Sequence, residues 1–247
     1  MQDGCTSFCS YCIIPFARGA LRSRTLESTK HELERLTENG YREVVLTGIQ
    51  LSAYGVDLPD KPDLNDLIVL ADEIPGLERL RLGSLEPRVI TDRFLSAAKN
   101  SRTLCRQFHL SLQSGSDTVL SRMNRRYTTA EYRDAVERIR TVMPDAAITT
   151  DIIAGFVGET EEEHKETMRF VEEIGFARIH VFPYSRRKGT KADGMSGHLP
   201  RALKEARTRE LIALGEQLEK AFIDRQLGST VDVIMEDDGT GYTGNYI

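Results

Sequence analysis

Ala147-Ile148-Thr149-Thr150-Asp151-Ile152-Ile153-Ala154 is a β-rich run bounded by Gly155-Phe156-Val157-Gly158-Glu159, and it reads as a strand closed by a glycine turn. Upstream of it, Thr128 and Glu131 make a capping box ahead of a helical face formed by Tyr132, Val136, Ile139 and Met143. Downstream, Thr160 and Glu163 make a second capping box, opening a helix that runs to Ile174 and stops at Gly175. Residues 177–183 then read as another strand. Strand and helix in regular alternation are the signature of parallel βα units with right-handed crossovers.

Working outward, the same alternation continues toward the N-terminus. Strands are expected at residues 107–112, at 77–82 (LERLRL) and at 42–47 (REVVLT), with helices at 26–39, 64–73 and 91–99. A strand that should precede the N-terminal loop is expected to be clipped. The fold class is therefore α/β, a partial six-unit (β/α) barrel over residues 1–199, with a doubly wound open sheet as the alternative. Residues 200–227 read as a charged helical segment carrying Leu203, Leu211, Leu214, Leu218, Ala221 and Phe222. Residues 228–247 open a short β segment, too small to fold alone and expected to be the truncated start of a small β module.

Composition excludes several classes. An apolar content of 40% supports an ordinary buried core, and no apolar run approaches the roughly 18–20 residues a membrane helix needs. The N-terminus lacks the basic flank and apolar stretch of a signal peptide. A reducing, cytoplasmic setting and a monomer without a membrane partner are the expectations, and they suit unpaired thiols. The net charge of −5 argues against a generic nucleic-acid coat but not against a local basic face.

The candidate chemistry starts at Gly4-Cys5-Thr6-Ser7-Phe8-Cys9-Ser10-Tyr11-Cys12, where three of the four cysteines stand as C-x3-C-x2-C, far from Cys105. Soft thiolates on one short loop suit an iron–sulfur cluster or zinc. Three ligands also leave a cubane iron without a protein ligand. In parallel α/β folds, ligands gather at the carboxyl ends of strands, and here those ends carry Gly48 with Gln50, Ser84 with Glu86, Ser111 with Gln113, and Asp151 with Gly155. Gly48 allows close backbone approach, Glu86 and Ser84 can bind an amino or hydroxyl group, and Gln113 can grip a ribose or carboxylate. Asp151 inside a strand requires either a ligand or a basic partner lining the barrel. Among Arg122, Arg125 and Arg126, one can clamp a carboxylate bidentately. Residues 181–209 are locally basic, with Arg186, Arg187 and Lys188 at their head, either as a phosphate-docking face or as a solvated surface.

Those residues resemble a known family. Cys5-x3-Cys9-x2-Cys12 resembles the signature of radical S-adenosylmethionine enzymes, and residues 2–19 with Arg22-Ser23-Arg24 are similar to its methylthiotransferases. Further matches are LTGIQLSAYGVDL (46–58), HLSLQSGSDTVLSRMNRRYT (109–128), DIIAGFVGETEEE (151–163) and HVFPYSRRKGT (180–190). The Arg-x-Ser-Arg region, Asn124-Arg125-Arg126-Tyr127 and the HVFPYS strand most resemble the branch that modifies threonylcarbamoyladenosine beside a tRNA anticodon. The resemblance implies a [4Fe–4S] cluster on Cys5, Cys9 and Cys12, with S-adenosylmethionine chelating the open iron and cleaved to a 5′-deoxyadenosyl radical. It implies methylthio insertion at adenine C2, a tRNA substrate and an electron donor such as flavodoxin or ferredoxin.

It also implies an N-terminal domain with an auxiliary 4Fe–4S cluster and a complete C-terminal TRAM-like RNA-binding barrel, neither of which the 247 residues contain. This chain is thus expected to bind and cleave S-adenosylmethionine without completing sulfur insertion. Gln50, Val157 and Arg186 stand where the family more often has His, Pro and Pro. The competing readings are modification of isopentenyladenosine or of a ribosomal-protein aspartate, a zinc-stabilised nucleic-acid-binding module, and a ferredoxin-like carrier.

Overall fold

Only two residues precede the cysteine loop as strand, β1 (Gln2–Asp3), yet Gln2 already pairs in parallel with Gly48. After the loop come α1 (Ile14–Arg18) and β2 (Arg22–Ser23), which turns back antiparallel on β1. The computed structural model describes residues 1–247. The βα units follow: α2 (Leu26–Glu38), β3 (Glu43–Leu46), α3 (Leu64–Asp72), β4 (Arg79–Leu82), α4 (Asp92–Asn100) and β5 (Gln107–His109). Next are α5 (Asp117–Arg122), α6 (Thr129–Val142), β6 (Ala147–Ala154), α7 (Glu161–Ile174) and β7 (Arg178–Pro183). The long helix α8 (Arg201–Asp224) and the hairpin β8 (Val233–Met235) with β9 (Gly241–Thr243) complete the chain.

The barrel strands β1, β3, β4, β5, β6 and β7 pair in sequence order and in parallel. Gln2 bridges Gly48, β3 pairs β4, single bridges Leu80–Leu104 and Leu85–Leu110 join β4 to β5, and β5–β6–β7 are continuous. No pairing joins β7 back to β1, so the sheet is an open, partial barrel. A doubly wound sheet reverses its strand order at a switch point; here the order never reverses, which rules out that alternative. Past His109 the third predicted strand survives only as bridges at Leu110 and Gln113.

Local chemistry sets the helix ends. Both capping boxes read from the sequence have their two reciprocal bonds, and Asp63 with Asp66 supplies a third ahead of α3. Gly175 ends α7 in the left-handed conformation, at φ +61°. One face of the strands, with Leu80, Leu82, Phe108, Ile148 and Ile152, is buried against helical residues such as Ile68, Phe94, Tyr132, Ile139 and Val171. Alternate strand residues point the other way. Arg81 meets Glu43, while Gln107, His109, Thr149, Arg178 and His180 line one cavity opposite Phe222, Ile223 and Ile247, so this face of the strands is polar.

The C-terminal hairpin docks at the start of β4, at the opposite end from the cysteines. Arg79 donates to the carbonyls of Tyr242 and Asp232, and Arg81 donates to those of Thr243 and Gly244. The Arg81 guanidinium also lies 4.0 Å over the Tyr246 ring.

α5 is tied to α7 by Arg122, whose guanidinium donates to both carboxylate oxygens of Glu163 at 2.8 and 2.7 Å, joined by Thr118 Oγ1. The Arg122 hydrogen bonds, opposed by burial, bring the Glu163 carboxyl from 4.5 down to about 2. A folded-state value below the unfolded one gives stability that is present above pH ~4.5 and lost as pH falls toward 2. Because Arg122 is one-third exposed, the contribution is about 1–2 kcal/mol. Glu163→Gln is expected to lower stability in urea melts by that amount at pH 7, with the gap closing by pH ~2. A deficit independent of pH would contradict this account.

Candidate active site

The cysteine loop is closed at its base by Gly4, at φ +78°, where a Cβ would stand 1.9 Å from the Ala20 carbonyl oxygen. Cys5 N–H donates to the Gly19 carbonyl at 3.1 Å beside it. At the loop's centre Ser10 is buried and fully bonded. Its N–H donates to Met123 O at 2.9 Å, its hydroxyl to Arg122 O at 2.8 Å, and its carbonyl accepts from Ala192 N–H at 2.7 Å. Asn124, in the left-handed region at φ +59°, donates to Phe8 O at 2.9 Å. Tyr11 meets Phe156 edge-on at 6.3 Å, and Phe156 meets Tyr184 at 5.1 Å. The loop thus sits on a small second core of Val119, Met123, Phe156, Val157, Tyr184 and Ala192, separate from the main one.

Above the strand ends lies a cavity of about 220 Å³. Its wall brings together Cys5, Cys9 and Cys12 with six of the other sequence candidates: Gln50, Ser84, Glu86, Ser111, Gln113 and Arg125. Gln50 is placed by two bonds, its N–H donating to Gln2 Oε1 at 2.7 Å and its Oε1 accepting from Thr6 N–H at 3.1 Å. Gln113 holds φ +70°, a left-handed backbone that costs a non-glycine residue about 1–3 kcal/mol and is retained here between Asp151 O and Ile153 N–H. Glu86 N–H is held by Ser52 Oγ at 2.8 Å.

The remaining candidates lie elsewhere. Gly48 does not line the cavity: a Cβ there would meet Gln2 Cβ at 3.2 Å, so its bare backbone serves strand packing. Asp151 does not line the cavity; its Oδ2 lies 3.4 Å from His109 Nε2, so its neighbour in the barrel is a histidine and not an Arg or Lys. Arg186, Arg187 and Lys188 are exposed on the loop after β7, with Arg186 bonded to Asp193 Oδ1 at 2.8 Å. That loop flanks the cysteines: a Cβ on Gly189 would lie 3.6 Å from Ile13, and burial pushes the Cys12 thiol up against the nearby Arg187 charge. Of the wider basic window, Arg207 is buried on Glu159 and Lys204 donates to Tyr184 O at 2.8 Å, so these two are committed within the fold, whereas Arg201 is exposed and pairs with Glu205 on the surface.

Tyr127 was not singled out for a role in the sequence, yet it organises one wall. Its hydroxyl is shared among Ser111 O at 2.5 Å, Leu112 O at 2.9 Å and Arg125 Nε at 3.0 Å. Burial raises its pKa, so it remains a neutral donor. Arg125 packs against it with only 8% of its side chain exposed, and Nη1 lies 3.3 Å from Cys9 Sγ. Nη2 is buried without a hydrogen bond, although Glu86 Oε1 is 3.3 Å away. Burial opposes the guanidinium charge, but Tyr127, Tyr11, Cys9 and Glu86 together more than offset it. Three thiols on one cavity wall fit, by the softness of their donor set, an iron–sulfur centre with one iron left to a non-protein ligand.

Comparison with known proteins agrees with this geometry. The sequence profile of the Radical SAM superfamily matches residues 1–171. The threonylcarbamoyladenosine tRNA methylthiotransferase MtaB of Bacillus subtilis is 39% identical over 256 residues, covering 100% of this chain and 57% of that protein. A tRNA-2-methylthio-N(6)-dimethylallyladenosine synthase of Caldicellulosiruptor saccharolyticus is 39% identical over 233 residues, covering 94% and 50%. The chain spans about half the length of the curated relatives it matches. Among solved structures, the radical S-adenosylmethionine methyltransferase TsrM of Kitasatospora setae superposes with a TM-score of 0.64 at 20% identity, covering 78% of this chain and 37% of that one.

Proposed function

The chain belongs to the radical SAM superfamily, and from that premise we propose that it carries the radical-generating half of a tRNA methylthiotransferase acting on threonylcarbamoyladenosine. The observation that carries the reading is the convergence of Cys5, Cys9 and Cys12 on one cavity with Glu86, Ser111, Gln113 and the unbonded Nη2 of Arg125. The thiols would hold a [4Fe–4S] cluster, which supplies, when bound, the electron that cleaves S-adenosylmethionine and so releases a hydrogen-abstracting carbon radical.

The chain's own residues then have defined tasks. Glu86 and Ser84 accept from the amino group or a hydroxyl of the cofactor, and Gln113 and Ser111 hold its ribose or carboxylate. Ile14, Ile49 and Leu51 line the same wall and keep water from the reacting carbon. Arg187 and Lys188, exposed beside the cysteine loop, would meet RNA phosphates, with Arg186 braced by Asp193. Residues 1–199 would form the barrel unit, 200–227 the buttressing helix, and 228–247 the opening strands of a TRAM-like module. A low-potential flavodoxin or ferredoxin, a cytoplasmic setting and a monomeric state belong to the same reading.

The test is anaerobic reconstitution followed by assay of S-adenosylmethionine cleavage. An iron-replete protein is expected to form 5′-deoxyadenosine and methionine with dithionite as reductant, and its cluster spectrum is expected to change when S-adenosylmethionine is added. A full cluster that gives neither response would overturn the proposal. Stimulation of 5′-deoxyadenosine formation by tRNAs bearing threonylcarbamoyl- or isopentenyladenosine then decides between the two substrates.

A further inference from the structure

The cation beside Cys9 is unusual in how firmly it is fixed. Arg125 N–H donates to Leu120 O at 2.9 Å, Nε donates to Tyr127, and the guanidinium lies 4.8 Å from the centre of the Tyr127 ring. Tyr127 is in turn pinned to two carbonyls of the segment that carries Ser111. This leaves Nη1 directed at the Cys9 sulfur and unable to swing away, in a site where little water screens the charge. Glu86, the one carboxylate within ion-pair reach, faces Nη2 from the opposite wall.

From this geometry we infer that Arg125 is a positioning residue that sets how easily the centre held by Cys5, Cys9 and Cys12 is reduced, with Glu86 acting in the opposite sense. The inference rests on the reading of those thiols as cluster ligands. Hydrogen bonds to the sulfurs and nearby net charge are among the determinants of iron–sulfur potentials. One-electron reduction by a low-potential donor adds a negative charge and forms or breaks no bond with the protein. A fixed N–H donor and a fixed positive charge stabilise that added electron, and a carboxylate destabilises it. Arg125 therefore acts on the electron-accepting step through Cys9. That role is separate from clamping a carboxylate, and it exists before any cofactor enters.

The experiment is a redox titration followed by electron paramagnetic resonance, on anaerobically reconstituted protein without S-adenosylmethionine and after iron and sulfide have been quantified. Arg125→Gln is expected to lower the midpoint potential by about 59 mV or more, a tenfold change in a one-electron equilibrium. Glu86→Gln is expected to raise it, and Arg125→Lys, which keeps the charge but loses the fixed fork, to fall between. A merely structural role for Arg125 would alter iron content without moving the potential of the clusters that remain. An iron-replete Arg125→Gln protein at the wild-type potential overturns the inference. Should that variant lose its iron, Glu86→Gln decides: an unchanged or lowered potential overturns the inference, and a raised one supports it. A wild-type protein that takes up no iron or sulfide defeats the cluster reading itself and the inference with it.

Discussion

Serine in place of Cys5, Cys9 or Cys12 is expected to abolish iron and sulfide uptake, whereas Cys105→Ala is expected to leave both at the wild-type level. Disturbing only the partners of metal ligands costs about 10–100-fold in affinity, and removing one of three ligands costs more. A hydroxyl is a harder and far less acidic donor than a thiol, so serine cannot replace the lost thiolate. The loop offers no thiolate substitute: between the cysteines it carries only the hydroxyls of Thr6, Ser7, Ser10 and Tyr11, and Ser10 is buried with its hydroxyl committed to Arg122 O. Cys105 differs in every respect. It is 4% exposed, lies near Arg79 and Arg81 at the far end of the barrel, and burial pushes its thiol up to about 11. Iron and sulfide assays with absorbance spectra of the four variants check this. Full iron in any of the three serine variants, or stoichiometric zinc in the wild type, would contradict the cluster.

How far the sequence carried this picture depends on the range of the interaction. Glu131 and Glu163 could be placed because each bonds a residue three positions away, and both capping boxes form. The β-rich run and the glycine turn that closes it gave β6 its full span, from Ala147 to Ala154. The cysteine spacing is equally local. What was illegible joins distant positions. Arg125 reaches Cys9 across 116 residues, Ser10 reaches Arg122 across 112, and Arg81 reaches Thr243 across 162. No periodicity reports such pairs. The left-handed backbones of Gln113 and Asn124 were hidden for another reason: neither residue is a glycine, so nothing in the text signals the strain. The basic window misled in the same way. Arg207 reads as one cation among several, yet it is 4% exposed and belongs to the interior.

That residue carries the second large effect. Arg207→Ala is expected to cost about 3–5 kcal/mol, because it leaves Glu159, 3% exposed, as a buried charge without a partner. In the wild type Arg207 Nη1 donates to both the carboxylate and the backbone carbonyl of Glu159, at 2.8 and 2.9 Å. Burial already raises the Glu159 pKa above 4.5 despite this pairing, and losing the guanidinium raises it further. Between the unfolded value of 4.5 and the raised folded one, the native state binds a proton that the unfolded chain does not. Stability in that window therefore falls as pH rises, so the variant recovers as pH is lowered toward 4.5. Denaturant melts of both proteins at pH 7 and pH 5 are expected to show a narrower gap at pH 5. The His164–Glu210 pair nearby is common to both and cancels in the difference. Arg207→Met with Glu159→Leu, which removes both charges and keeps the volume, is expected to regain most of the loss. A gap below about 1 kcal/mol at pH 7, or one unchanged at pH 5, would contradict the buried-pair account. The effect should also reach the site: Glu159 Oε1 accepts from Gly155 N–H at 3.1 Å, fixing the turn that carries Phe156, and Tyr11 of the cysteine loop rests on Phe156. Arg207→Ala is thus expected to loosen cluster retention from a position that touches no cysteine.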